Sequence, residues 1–82
     1  MKNSVYSPHY DKLRVWLKNQ RVEKGLTLRD LSTLTGIHHS IFGKIEQGRR
    51  RIDLVEFVEY CQALDADPQE GIRIIVSSIK CK

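Results

Sequence analysis

The stretch that decides the fold is residues 27–48, which read TLRDLSTLTGIHHSIFGKIEQG. Thr27, with Asp30 three positions later, forms a capping pair, so a short helix is predicted from Leu28 to about Thr35. The glycine that follows supplies a sharp turn, and a second short helix is predicted over about residues 39–47, where another glycine ends it. Two helices of about two turns joined by a glycine-containing turn make a helix-turn-helix unit.

Each of these helices has apolar residues at spacings of three and four, which is typical of a buried helical face. In the helix at residues 28–35 they are Leu28, Leu31 and Leu34, and in the helix at residues 39–47 they are Ile41, Phe42 and Ile45. The remaining positions of the helix at residues 39–47, which is the third predicted helix in chain order, are polar or small and are predicted to face outward.

Further helices are predicted on both sides of this unit. Ser7 and Pro8 open a helix with an apolar stripe at Leu13, Trp16 and Leu17. Asp53 and Glu56 form a capping box for a fourth helix, whose inner face is predicted to contain Leu54, Phe57, Val58, Cys61 and Leu64.

The last segment is open to two interpretations. A second proline at a first helical position, Pro68, starts it, and Ile72, Ile75, Val76 and Ile79 fit a helical stripe. The β-branched run at residues 72–76 would also suit a strand, and helix is the preferred interpretation.

The predicted fold class is therefore all-α, a compact bundle of about five helices that contains the helix-turn-helix at residues 28–47. The 82 residues are expected to form a single domain, because a chain this short cannot divide into two cores. Residues 1–7 are predicted to be an N-terminal arm, and residues 68–82 a C-terminal segment available for a dimer contact.

Composition excludes several classes of protein. A hydrophobic share of 40% and a charged share of 29% are those of a globular chain. No stretch resembles a membrane span or a signal peptide, so no membrane partner and a cytoplasmic location are expected. The two cysteines, Cys61 and Cys81, are too few for a disulfide framework or a zinc site, and they are interpreted as a core thiol and a tail residue.

The net charge of +4 is unevenly distributed. Residues 1–51 carry 11 Lys and Arg against 4 Asp and Glu, whereas residues 52–82 carry 3 against 6. A basic first part favours a polyanion such as DNA or RNA as the partner. Ordinary solubility charge is the alternative interpretation.

The residues quoted above, with the sequence Ile45-Glu46-Gln47-Gly48 at the end of the third helix, resemble the Cro/cI-type helix-turn-helix, or XRE, family. The resemblance covers about residues 13–67 and implies the fold of the lambda repressor DNA-binding domain. It also implies that Arg21 and Glu46 form a buried or half-buried structural ion pair. Leu28 departs from the pattern, because many relatives carry a phosphate-binding Gln there.

The outer face of the third helix is the predicted base-contacting surface, because short polar side chains there reach base edges in the major groove. Its residues are His39, Ser40, Gly43 and Lys44. The resemblance implies base reading at the positions of His39, Ser40 and Lys44, and Lys44 would donate to guanine O6 or N7. The alternative for His38 and His39 is that they are ordinary exposed residues of the turn with no binding role. A metal site made from the two is not expected, because adjacent helical residues do not face each other.

The predicted phosphate contacts flank that helix. The resemblance places the positions of Thr27 and His38 near phosphates, and the basic loop after the third helix where the family touches the DNA backbone. The full set of predicted phosphate-contacting residues is Thr27, Arg29, His38, Arg49, Arg50 and Arg51. A solvated basic turn is the alternative for the three loop arginines.

The apolar, acidic second half is the predicted dimer surface, since helix-turn-helix domains bind two-fold sites as dimers. The predicted dimer contacts are Phe57, Tyr60, Ile74, Ile75 and Ile79. Ile74 is the leading candidate because it lies off the helical stripe. The alternative is that all of these side chains belong to the monomer's own core.

The predicted function is a sequence-specific DNA-binding transcriptional regulator, in particular a repressor. It is expected to bind a two-fold operator in double-stranded DNA as a homodimer, with the third helix in the major groove. The alternative is a protein-interaction module, such as an antitoxin-like subunit, built on the same fold. No catalytic constellation is visible, so neither an enzyme nor a cofactor is expected, and the short chain suggests no small-molecule ligand domain.

Overall fold

The computed structural model describes residues 7–80, which form five α-helices and no strand. They are α1 (Pro8–Glu23), α2 (Leu28–Thr35), α3 (His39–Glu46), α4 (Leu54–Leu64) and α5 (Pro68–Lys80). The all-α prediction is confirmed, and the ambiguous last segment is a helix. The predictions for residues 1–6 of the arm and for Cys81 concern positions outside the described residues.

Local capping explains where the helices begin. The Ser7 hydroxyl accepts hydrogen bonds from the backbone N–H groups of His9 and Tyr10, at 3.1 and 3.4 Å. Thr27 and Asp30 form a reciprocal capping box at the start of α2, with bonds of 2.8 and 3.0 Å. An equivalent box begins α4. Each of these starts was predictable because the capping residues are neighbours in sequence.

Nine buried apolar side chains from α1 to α4 form the core. They are Leu13, Leu17, Leu31, Phe42, Ile45, Phe57, Tyr60, Cys61 and Leu64. The predicted core positions Leu34 and Leu54 are instead 60% and 69% exposed. Three residues of an α-helix fall about 60° short of a full turn, so the side chain of Leu34 points about 60° away from the direction of Leu31 and leaves the buried face. Leu54 is exposed although Phe57, three positions later in the same turn of α4, is buried in the core.

Helices α1 and α5 run antiparallel in close contact. His9, at the start of α1, lies 2.6 Å from the Ser78 hydroxyl near the end of α5, measured from its Nδ1 atom. At the other end of the contact, Gly71 is buried, and a Cβ atom there would lie 2.8 Å from Phe57 and 2.9 Å from Trp16. Since overlaps of that size are not tolerated, only glycine lets α5 lie so close to the core.

No helix within residues 7–80 has the length and apolar character needed to cross a membrane.

Candidate nucleic-acid interface

Helix α3 presents two distinct faces. Phe42 and Ile45 are each 1% exposed and anchor it in the core. On the other side Ser40 and Lys44 are exposed, and His39 is half-buried. The structure therefore brings the predicted base-contacting residues together on one polar, solvent-facing surface, which we call the α3 face: His39, Ser40, Gly43 and Lys44.

His38 is the N-cap of α3. Its Nδ1 atom accepts a hydrogen bond from the backbone N–H of Ser40 at 3.1 Å and lies 2.9 Å from the Ser40 hydroxyl. Its ring stacks on that of His39, with centroids 4.4 Å apart. Partial burial, with smaller contributions from the charges of His38 and Arg29, lowers the pKa of His39, which favours its neutral form.

Gly43 lies in the middle of the α3 face and is half-buried. A Cβ atom at this position would meet only Leu28 Cδ1, at 3.6 Å, which is an ordinary van der Waals contact. Packing inside the protein therefore does not require a glycine here.

The start of α2 offers a second polar surface beside α3. Thr27 and Arg29 are exposed there. Because the Thr27 oxygen already accepts from the N–H of Asp30, its hydroxyl hydrogen remains available to donate. The exposed carboxylate of Asp30 lies at the same helix end and offsets part of the positive charge of Arg29.

The three arginines of the basic loop have different surroundings. Arg49 is exposed, with a long 3.5 Å contact to Gln47, and Arg51 is exposed. Arg50 instead makes a bidentate ion pair with Glu56, at 3.0 and 3.1 Å. This pairing raises the pKa of Arg50 and lowers that of Glu56. The predicted contact of Arg50 with phosphate stays a prediction, because its guanidinium holds the loop against α4 and its side chain is still 36% exposed.

Tyr10 of α1 fixes the same loop. Its hydroxyl donates to the Arg50 carbonyl at 3.1 Å and accepts from the N–H of Ile52 at 2.7 Å. Desolvation by partial burial raises the pKa of this phenol. The loop backbone is thus ordered from both sides, by α1 and by α4.

Arg21 and Glu46 form a largely buried ion pair between α1 and α3, with contacts of 2.7 and 3.0 Å. Tyr60 of α4 donates a third hydrogen bond to the same carboxylate, also at 2.7 Å. The paired carboxylate raises the pKa of Arg21, and burial raises that of Tyr60. We call these three residues the Glu46 cluster, and it ties α3 to the two helices behind it.

Arg14 fastens the end of α3. Its Nη1 donates to the Glu46 carbonyl at 2.6 Å, and its Nε bonds Asp11 at 3.0 Å. A cation at a helix C-terminus stabilises the helix dipole. Gly48 is buried beneath it with φ of 77°, and a Cβ there would lie 3.0 Å from Arg14 Nε. Sequence reasoning missed Arg14, because nothing local distinguishes it from other polar residues of α1.

Two of the five predicted dimer contacts are inside the protein. Phe57 is 3% exposed, and Tyr60 is fully buried. Their predicted role as dimer contacts is therefore corrected, because neither offers a surface to a second subunit. Both lie on the side of α4 that the other helices cover.

The other three predicted dimer contacts lie on α5. Ile75 is half-buried against the core, and Ile74 is half-buried in a groove beside Lys12 of α1. Ile79 is 56% exposed. Ile72 and Val76, which the prediction omitted, precede Ile79 by seven and three positions on the same side of α5, and Leu54 of α4 lines a groove with Ile72. We call these four exposed apolar residues the α5 face: Leu54, Ile72, Val76 and Ile79.

Cys61 is the one cysteine among residues 7–80, and it is buried in the core as predicted. Burial raises the pKa of its thiol to about 11. No cluster of three or more His, Cys, Asp and Glu side chains that could hold a metal ion occurs in this part of the chain.

Comparison with known proteins identifies this architecture. A family model described as a helix-turn-helix domain matches residues 13–71. The restriction-modification controller protein C.AhdI from Aeromonas hydrophila is 34% identical, with a TM-score of 0.70, over 78% of this chain and 97% of that one. No curated protein sequence matches the chain.

Two further solved structures share the fold. An XRE-family like protein from Pseudomonas syringae is 25% identical, with a TM-score of 0.82 and coverage of 92% of each chain. The clp gene regulator ClgR from Corynebacterium glutamicum is 23% identical, with a TM-score of 0.75, over 90% of this chain and 96% of that chain. The resemblance to XRE-type helix-turn-helix regulators is confirmed.

Proposed function

We propose that this chain, which belongs to the helix-turn-helix family of DNA-binding transcriptional regulators, recognises a specific operator sequence in double-stranded DNA. The observation that carries the proposal is the α3 face. Its polar residues are exposed on one side of a helix whose other side is anchored in the core by Phe42 and Ile45. That is the arrangement a recognition helix needs in order to enter the major groove.

Three of the four residues of the α3 face have chemical roles in reading DNA that follow from their side chains. Lys44 carries a flexible ammonium group suited to guanine O6 and N7. Neutral His39 offers one donor and one acceptor, depending on its tautomer. Gly43 lets the helix backbone approach the base edges, which agrees with the lack of any internal need for a glycine there.

Phosphate contacts would hold α3 in register. We assign them to the Thr27 hydroxyl, to Arg29, to the exposed loop residues Arg49 and Arg51, and to His38. Arg50 contributes by ordering the loop through Glu56. Backbone N–H groups at the start of α2 add donors that do not depend on side chains.

We further propose that two copies associate through the α5 face. Ile72, Val76 and Ile79 are 42%, 45% and 56% exposed and follow the four- and three-residue spacing of a helix-packing seam. One module gives few base contacts, whereas a dimer on a two-fold operator doubles them at half-sites about 34 Å apart. A compact dimer occupying such a site excludes other proteins from it, which is the basis for proposing a repressor.

The DNA-binding proposal is tested by selecting bound sequences from a randomised duplex pool. The wild-type chain should enrich a two-fold motif, and Lys44→Ala should lose preference at one base pair. Lys12→Ala is the matched control, since it removes an equal charge from an exposed lysine beside α5. Absence of any enriched motif at physiological salt would refute sequence-specific binding.

The dimer proposal is tested by light scattering. The wild type should have twice the monomer mass of 9.5 kDa, and Ile79→Asp should restore the monomer. Val22→Asp on α1, where the valine is 58% exposed, is the matched control. A wild-type monomer with and without operator DNA would refute the homodimer and favour the alternative, a protein-interaction module that uses the same apolar face for a different partner.

A further inference from the structure

The Ser40 side chain is held by the N-cap of its own helix. His38 Nδ1 lies 3.1 Å from the Ser40 backbone nitrogen and 2.9 Å from the Ser40 hydroxyl oxygen. A backbone N–H can only donate, so Nδ1 must be the acceptor and carries no proton. Since Nδ1 carries no proton, the hydroxyl is also the donor in its contact with Nδ1, and the two donors share the single Nδ1 lone pair as a bifurcated hydrogen bond.

This geometry sets the polarity of the Ser40 hydroxyl. Its only hydrogen is directed back to His38, which leaves the oxygen lone pairs on the exposed side. In the major groove, adenine N6 and cytosine N4 are donors, whereas guanine O6, thymine O4 and the purine N7 atoms are acceptors. A serine that can only accept pairs with the first group.

We infer that His38 fixes Ser40 as a hydrogen-bond acceptor in the major groove, so that Ser40 recognises an exocyclic amino group, N6 of adenine or N4 of cytosine. The inference rests on the proposed function and adds the chemical class of the base group that is read. His38 acts here as a positioning residue, and its remaining ring nitrogen, Nε2, carries the proton and is the donor for the phosphate contact proposed above.

The ring of His38 is itself held in place. It stacks on the His39 ring at a centroid separation of 4.4 Å and an interplanar angle of 28°. Two bonds to Ser40 and one stacking contact leave little freedom for the ring to turn. The hydroxyl therefore has a preferred orientation before DNA arrives, which lowers the ordering cost of binding.

The first step of the test locates the base pair that Ser40 reads. Sequences are selected from a randomised duplex pool with the wild type, with Ser40→Ala and with Ser77→Ala, an exposed serine on α5, as the matched control. Ser40→Ala should lower discrimination at one base pair by at least about fivefold, the lower end of what a mismatched pair costs. Ser77→Ala should reproduce the wild-type motif.

The second step identifies the atom. At that pair, the amino group is removed by placing purine for adenine or 2-pyrimidinone for cytosine, and N7 is removed with a 7-deazapurine. Loss of the amino group should weaken wild-type binding about fivefold or more and add nothing to Ser40→Ala. Any effect of losing N7 should be the same in the wild type and in Ser40→Ala. Which analogue acts distinguishes adenine from cytosine.

The third step tests His38. His38→Ala removes the acceptor for the hydroxyl, so Ser40 can rotate and the amino deletion should cost less. His38→Asp restores an acceptor for both Ser40 groups and should restore the full cost of the deletion, although its negative charge lowers affinity for every sequence. A purely structural cap would weaken all sequences alike without changing the sensitivity to the amino group.

The outcomes separate the two proposals. If the wild type enriches no motif, the proposed function fails. If the wild type enriches a motif and Ser40→Ala enriches the same motif at every position, the assignment of Ser40 as an acceptor is overturned. It is also overturned if the effect of removing N7, and not that of removing the amino group, depends on Ser40. In both cases the proposed function stands.

Discussion

The Glu46 cluster makes a sharp prediction about stability. The Glu46 carboxylate is 7% exposed and accepts three hydrogen bonds, two from Arg21 and one from Tyr60. Glu46→Ala leaves the Arg21 guanidinium, whose side chain is 14% exposed, without its counter-charge. Removing one partner of a buried ion pair costs about 3–5 kcal/mol. We expect a loss in that range, which is a large part of the about 5–15 kcal/mol that holds a typical domain together.

The contributions can be separated by variants at the three positions. Tyr60→Phe removes one bond to the charged carboxylate and should cost about 1.5–3 kcal/mol. Replacing Arg21 with Met, Glu46 with Leu and Tyr60 with Phe together should recover most of the loss, because apolar groups of similar volume need no partner. Glu59→Ala, on the exposed side of α4, is the control and should stay within about 0.5 kcal/mol of the wild type.

Urea denaturation followed by circular dichroism measures these differences at pH 7. A cost below about 1 kcal/mol for Glu46→Ala would be that of an exposed ion pair and would refute the assignment of a buried cluster. If the triple variant loses as much free energy of unfolding as Glu46→Ala, the polar cluster itself stabilises the domain, and the cost of Glu46→Ala is not only that of leaving a partner unpaired.

Three further predictions concern single positions. Gly43→Ala should stabilise the domain by about 1 kcal/mol and raise its Tm by about 4–8 °C, because the added Cβ contacts only Leu28, at 3.6 Å. The same substitution should weaken operator binding measured by fluorescence anisotropy. A lower Tm would contradict the packing argument. Gly71→Ala should cost about 1–3 kcal/mol in the same urea assay because its Cβ would overlap two aromatic rings, and wild-type stability would show that α5 can move away freely. Arg50 lowers the pKa of Glu56 below its ordinary value of 4.5. The wild type should therefore have a larger free energy of unfolding than Glu56→Gln at neutral pH, and this difference should vanish as acidification protonates the wild-type carboxylate. A difference that persists unchanged at pH 3 would argue against the ion pair as its source.

Much of the fold was predictable because its signals are local. The starts of α2, α4 and α5 follow from capping residues and a proline a few positions away in the chain. The polar face of α3 follows from the spacing of Phe42 and Ile45 alone. Apolar residues near helix ends were placed less well: Leu34 and Leu54 fit the spacing of a buried face, yet no other helix covers them.

The candidate site was predictable as a surface but not in its internal bonding. The sequence puts three arginines in one loop, and only the folded chain shows that Arg50 pairs with Glu56 while Arg49 remains exposed. Tyr60 was assigned to a dimer contact because it belongs to the apolar, acidic second half and helix-turn-helix domains bind two-fold sites as dimers. Its hydroxyl instead bonds Glu46, which is 14 positions earlier in the chain.

The sequence by itself determined the helices, the family and the polar face that we propose meets DNA, because periodicity, capping and the glycine turn act over a few residues. Tertiary structure alone decided which charges are already paired, that Arg14 closes the end of α3, that only glycine fits at position 71, and which apolar residues form the α5 face. Each of these depends on distances between helices that are far apart in sequence. No local pattern encodes such distances, because they are set by how all the side chains of the core pack at once.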